Sequence, residues 1–158
     1  MQKSAKLSKT MQIIANQCKK SSRAVTQDDA KRVREDALAM LFLCHTPLGR
    51  YRAAFAIAHC QVDHDDPLRF FVMKDGSLIV NPKIKAFSDE LVRDTEGCMS
   101  HAFRSEVSVK RFSSVKISYQ TLSKKNKLSK PKMQTFTDLQ ARIFQHEIDH
   151  FNGKSIYS

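Results

Sequence analysis

His146-Glu147-Ile148-Asp149-His150 places two histidines four positions apart with a glutamate next to the first. On an α-helix that spacing stacks residues 146 and 150 on one face, so both imidazoles can bind a single cation. Glu147, one position on, reaches a water held by that cation and can take its proton. A catalytic site of this type has three protein ligands as a rule. Only eight residues follow His150, with no His, Asp, Glu or Cys among them, so the third ligand must come from upstream. Cys18, Cys44, Cys60, Cys98, His45, His59, His64, His101 and several carboxylates qualify by type, and spacing does not choose among them.

The elements around the motif can be read from periodicity. Thr137-Asp138-Leu139-Gln140 has the pattern of a capping box, opening a helix to about His150 that Asn152-Gly153 closes. Leu139, Ile143 and Ile148 give this helix apolar contacts, so it is expected to be buried rather than to display two solvated histidines. A second helix is expected from Thr26 to about His45, with Ala30, Val33, Ala37, Leu38, Leu41 and Phe42 as its apolar stripe and Pro47 and Gly49 ending it. Residues 69–73 and 77–81 predict a hairpin about Lys74-Asp75-Gly76, with Pro82 just past its second strand. Residues 106–111 and 115–121 alternate with period two, residues 124–132 form a lysine-rich loop, and residues 133–136 return as a short strand. Helix, strands, helix is the order of an α+β fold, with mixed or antiparallel strands packed around the C-terminal HExxH helix and one N-terminal helix.

The chain has 158 residues, 41% of them hydrophobic, which suits one modest core and argues against global disorder. No apolar run approaches the roughly 20 residues that span a bilayer, so no membrane role is expected. The net charge of +11 is confined to two segments. Residues 1–26 carry six basic residues and no acid, and residues 104–132 carry nine against Glu106 alone. Residues 1–25 are therefore expected to be a basic arm, or a first strand around Met11-Gln12-Ile13-Ile14, ahead of a single catalytic domain over 26–158. With no secretory apolar stretch and no CxxC pair, the four cysteines are expected to be reduced in a cytoplasmic protein. The alternative for the acid-free start is an organellar transit peptide.

These residues resemble the peptide deformylases. Members carry a cysteine ligand in an EGCLS segment some forty to fifty residues before their HExDH motif. Here Glu96-Gly97-Cys98-Met99-Ser100 places Cys98 48 positions before His146, and Asp149 completes the HExDH form. Val80-Asn81-Pro82 is similar to the family's INP segment, and residues 54–61, ending in Gln61, line up with its GxGLAAxQ motif. The resemblance runs over about residues 25–155. It implies Cys98, His146 and His150 as ligands of one divalent ion, Fe2+ in the first place, with Zn2+, Ni2+ or Co2+ as alternatives. It implies Glu147 as general base, and Gln61 with the backbone N–H of Met99 as donors to the developing oxyanion. The implied substrate is the N-formylmethionyl end of a nascent peptide, losing formate, bound near Ile57, Arg104, Ile143 and Phe144. Asp149 is expected to pair with Arg111.

Two family glycines are replaced by Ala54 and Ala56, whose methyls are expected to narrow or reshape the peptide groove. The segment also gains His59 and Cys60, and the residues after EGCMS are His101-Ala102-Phe103. His59 and His101 are not expected to be ligands, and the early end after the last helix resembles compact, phage-encoded members. Two other functions fit parts of the sequence. A small HExxH peptidase would cleave unformylated peptides. A basic ribosome- or RNA-binding module with a vestigial metal site would account for the lysines, although they lack interleaved aromatics.

Overall fold

The structure is a computed structural model that describes residues 11–12 and 18–158. The expected first strand at 11–14 lies partly outside the described residues. The architecture is α+β. Helix α1 spans Ala30–Cys44 and is followed by strands β1 (Ala56–Ala58), β2 (Phe70–Met73) and β3 (Leu78–Phe87). Next come β4 (Leu91–Glu96), β5 (Val107–Phe112), β6 (Ser114–Gln120) and β7 (Lys132–Thr137), and helix α2 (Asp138–Phe151) closes the order. Five strands form one antiparallel sheet in the order β1-β2-β3-β6-β7, and β4 pairs with β5 in a second.

Strand alternation divides the interior in two. Ala56, Ala58, Phe71 and Ile79 point to α2, where Phe144 packs with Phe136 and Phe151. Ile57, Phe70, Val72 and Val80 point the other way and meet Val33, Ala37, Met40 and Cys44 of α1. The helices thus cover opposite faces of the sheet, and α2 also touches β5 of the second sheet.

Several local expectations are corrected. The buried face of α1 is Ala30, Val33, Ala37, Met40 and Cys44, a steady three–four alternation. Leu38 and Phe42 fall outside it and are exposed. Strand β3 runs through Pro82 to Phe87. The ladder shifts register between Val80 and Lys83, where Asn81 takes φ 50°, so the proline is not asked for a ladder hydrogen bond. Strand β4 had no sequence signature, because residues 91–95 are all exposed and show no alternation. Thr137 makes no side-chain cap to α2, whereas the Thr26 amide donates to the Asp29 carboxylate ahead of α1.

The thiols are also not all free: Cys18 and Cys60 form a disulfide, leaving Cys44 and Cys98 as buried free cysteines. The arm is brought there by its backbone. Ser22 N–H donates to the Phe151 carbonyl, Arg23 N–H to that of Pro67, and Arg69 N–H to that of Arg23. Asn81 serves Val25 as a strand would, accepting its N–H at 2.8 Å and donating to its carbonyl at 2.9 Å.

Candidate functional site

The site forms where three short pieces of chain meet at one face of α2. The first is α2 itself, which presents His146, Glu147 and His150 from successive turns. The second is the exit of β4, which leads Glu96-Gly97 into Cys98 and a single 3₁₀ turn, Met99–His101. The third is the 3₁₀ turn His59–Gln61 that follows β1, the edge of the large sheet.

Cys98, His146 and His150 offer one donor atom each, all within 4.8 Å of one another. Cys98 Sγ lies 3.3 Å from His150 Nε2, which lies 3.1 Å from His146 Nε2. Glu96, an acceptor only, faces His146 Nδ1 at 2.9 Å and so assigns the ring proton to that nitrogen, aiming the Nε2 lone pair at His150 and Cys98. A cysteine sulfur and two imidazole nitrogens converging on one point form the three-ligand donor set of a divalent site with one position left open. Glu147 Oε2 is buried without a hydrogen-bond partner among the described residues. The residues therefore fit one divalent ion, with an acceptor free to take a proton beside it.

The electrostatics follow from burial. Burial raises the Glu147 carboxyl to about 7, against the pull of His146 and Arg111. Burial, above all, pushes the His150 ring well below the ordinary imidazole range. For Glu96, burial is overcome by hydrogen bonds from His146 and Arg111, which hold the carboxyl well below its ordinary range.

Gln61 is fixed at both ends of its amide. Oε1 accepts the Ala58 N–H at 2.8 Å, and Nε2 donates to Ser100 Oγ at 2.9 Å and lies 3.7 Å from Cys98 Sγ. Met99 is buried and lines the same cleft. Arg111 reaches Asp149 at 2.5 Å and Glu96 at 2.9 and 3.0 Å.

Of the four residues expected around the substrate, only Ile143 lines the cleft. Alternation along β1 turns Ile57 away into the α1 core, and its neighbour Ala56 takes the cleft wall. Phe144 is stacked on Phe136 with ring centroids 4.0 Å apart, inside the α2 core. Arg104 is exposed and lies over the Tyr157 ring, 3.8 Å from its centroid. The apolar walls come instead from Phe55, Leu139, Ala54 and Ala56, with Tyr51 over Gly97.

Sequence reasoning missed Arg142, which is buried and donates to Glu96 at 2.5 Å and to the carbonyls of Val109 and Val92. It also missed Gln145, whose amide clasps the Phe112 backbone on both sides. Both sit on the α2 face that also carries apolar residues. A polar residue inside an apolar stripe was the available signal.

A Cys–His–His triangle, buried at Cys98 and His150 and half-buried at His146, beside a helical glutamate on this α+β frame has the donor set that metal-dependent hydrolases use. The sequence model described as polypeptide deformylase matches residues 3–158, and the chain belongs to that family. It is 41% identical over 76 residues to the peptide deformylase of Microchaete diplosiphon, covering 48% of this chain and 37% of that one. It is 41% identical over 95 residues to that of Rickettsia canadensis, covering 58% and 49%. The chain thus spans less than half the length of these curated relatives. The crystal structure of peptide deformylase from Thermotoga maritima superposes with a TM-score of 0.76 at 25% identity, over 94% of this chain and 96% of that one.

Proposed function

We propose that this chain hydrolyses the N-formyl group of formylmethionyl peptides, releasing formate. The observation that carries this is the meeting of Cys98, His146 and His150 with Glu147 and Gln61 in one buried corner of a cleft. A divalent ion held by the three ligands would act as a Lewis acid toward water and the formyl carbonyl. Glu147 takes the proton from the attacking water and returns it to the departing amine, a role worth roughly 10²–10⁴ in rate. Gln61 Nε2 and the Met99 N–H donate to the formyl oxygen as it gains charge, about 10²–10³ for each such donor. Ile143, Leu139 and Phe55 give the methionine side chain an apolar wall. A thiolate and two imidazoles would suit Fe2+, Zn2+, Ni2+ or Co2+, and the family resemblance favours Fe2+ among them.

Formate release from formyl-Met-Ala-Ser, with each ion loaded in turn, tests this directly. Glu147→Ala should keep the bound ion and lose turnover. Cleavage of unformylated peptides with no formate release would assign the site to a peptidase.

Formylated emerging chains as substrate support a location beside the ribosome, in the cytoplasm. No described helix is long and apolar enough to cross a membrane. Lys124, Lys125, Lys127 and Lys130 are exposed on the β6–β7 loop, which Gln27 and Arg34 tie to the start of α1. This supports a transient contact with ribosomal RNA phosphates; its association should weaken steeply with salt while short-peptide turnover holds.

A further inference from the structure

His59 and Cys60, which the segment 54–61 gains besides the alanines at 54 and 56, share one 3₁₀ turn with Gln61. Neither faces the cleft. The His59 ring is fully buried and stacked on Phe70, with ring centroids 4.6 Å apart. Its Nδ1 accepts the Leu68 N–H at 2.9 Å, so its Nε2–H donates to Asp36 of α1 at 3.0 Å. With its proton so placed and Arg32 already bridging Asp36 and Asp63, the Asp36–His59–Asp63 group is a closed polar network rather than a second ion site. Cys60 is tethered on the opposite side, through its disulfide to Cys18.

Cys18 belongs to the arm lying across the C-terminal end of α2. Ser21 forms a bridge with Asn152, Ser22 N–H donates to the Phe151 carbonyl at 2.8 Å, and Cys60 Sγ lies 3.7 Å from the His150 carbonyl oxygen. Gly153, at φ 74°, lets the arm pass so closely that a side chain there would meet the Lys19 carbonyl oxygen at 2.8 Å. One covalent bond therefore joins three things: the turn carrying Gln61, the arm, and through the arm the end of the helix carrying His150.

We propose that Cys18 and Cys60 are positioning residues for the reaction, their disulfide holding the turn His59–Gln61 so that Gln61 keeps its place against Cys98, and that opening the disulfide lowers turnover through Gln61. Opening delivers two electrons and two protons to the sulfur–sulfur bond and leaves two thiols; a dithiol donor closes to its own disulfide in return. His59 still holds the turn in the reduced protein, so the loss is partial, about tenfold in kcat. Its ceiling is the about 10²–10³ that one oxyanion donor supplies. The proposal rests on the deformylase function.

The test compares metal-loaded wild type, before and after a water-soluble phosphine, with Cys18→Ser and with Gln61→Ala in both backgrounds. The phosphine opens the bond by taking oxygen from one water, the two sulfurs gaining its hydrogens. Reduction and Cys18→Ser should each lower kcat by about tenfold with KM and ion content unchanged. Cys18→Ser should not respond to phosphine, and in the Gln61→Ala background it should cost nothing further. Equal kcat in oxidised and reduced wild type, or a full Cys18→Ser effect without Gln61, overturns the proposal. Amide hydrogen exchange over residues 58–62 reads the clamp without turnover. Faster exchange on reduction supports it, and unchanged exchange overturns it whatever the reaction. If oxidised wild type releases no formate while exchange responds as expected, the deformylase function fails and only the route to kcat falls with it.

Discussion

Replacing Glu96 by alanine should strike stability and ion affinity together. Its carboxylate is 7% exposed and accepts from Arg111 at 2.9 and 3.0 Å and from Arg142 at 2.5 Å, while facing His146 Nδ1 at 2.9 Å. In Glu96→Ala, Arg111 keeps Asp149. Arg142, 8% exposed, keeps only the carbonyls of Val92 and Val109 and becomes a buried cation with no anion. Breaking a buried pair from one side costs about 3–5 kcal/mol, and the two carbonyls set this case near the lower figure. That is a large share of the about 5–15 kcal/mol that holds a domain folded. His146 also loses the acceptor that fixes its ring, worth about 10–100-fold in ion affinity. Urea unfolding of the ion-free protein measures the first effect, and competition with a chromophoric chelator the second. Asp149→Asn is the control: that carboxylate is about a third exposed and its loss should cost no more than about 1 kcal/mol. A Glu96→Ala protein as stable as Asp149→Asn, with wild-type ion affinity, would refute the idea that this carboxylate joins the β4–β5 sheet to α2.

Gly97→Ala should destabilise by about 1–3 kcal/mol, because its new carbon would lie 1.8 Å from the Tyr51 hydroxyl oxygen. Unfolding in a Tyr51→Ala background should show most of that cost removed; an equal cost in both backgrounds would rule out the clash. Acid should release the arm's ion pairs. The hydrogen bond from Arg23 holds the Asp29 carboxyl down to about 2, and Asp66 is lowered by Arg23 and Arg32. These folded values lie below the unfolded about 3.9. The stabilisation is therefore complete above that pH and lost as pH falls toward about 2. The stability gap between wild type and Arg23→Ala should stay level from about pH 8 to 5 and shrink below about pH 4. A gap as large at about pH 2 as at about pH 7 would exclude the carboxylates as its source.

Local spacing carried the histidine pair of the candidate site. Residues 146 and 150 meet because a helix repeats every 3.6 residues, and the EGCMS segment supplied Cys98 through resemblance alone. Helix α1, helix α2 and the β2–β3 turn were also legible, since each follows from an apolar period or a turn pair. What stayed hidden is set by partners far apart in sequence. Nothing in Arg142 itself announces Glu96 46 positions earlier, and nothing in Cys18 selects Cys60 over two other cysteines. Ile57 and Phe144 were misplaced around the substrate because apolar type does not say which side of a sheet or helix a residue takes. The neighbouring Ala56 and Ile143 hold those walls.

The arm has a further consequence for the order of assembly. Residues 18–25 touch Cys60, Pro67, Arg69, Asn81, Phe151 and Asn152, all later in the chain. Contacts closing such long loops form last, after local hairpins and helices have reduced the cost of closure. Synthesis runs the other way, making the arm first. Residues 18–25 must therefore wait, without these partners, until residue 152 has followed them out. Docking of the arm thus reports that the sheet and α2 beneath it are already in place.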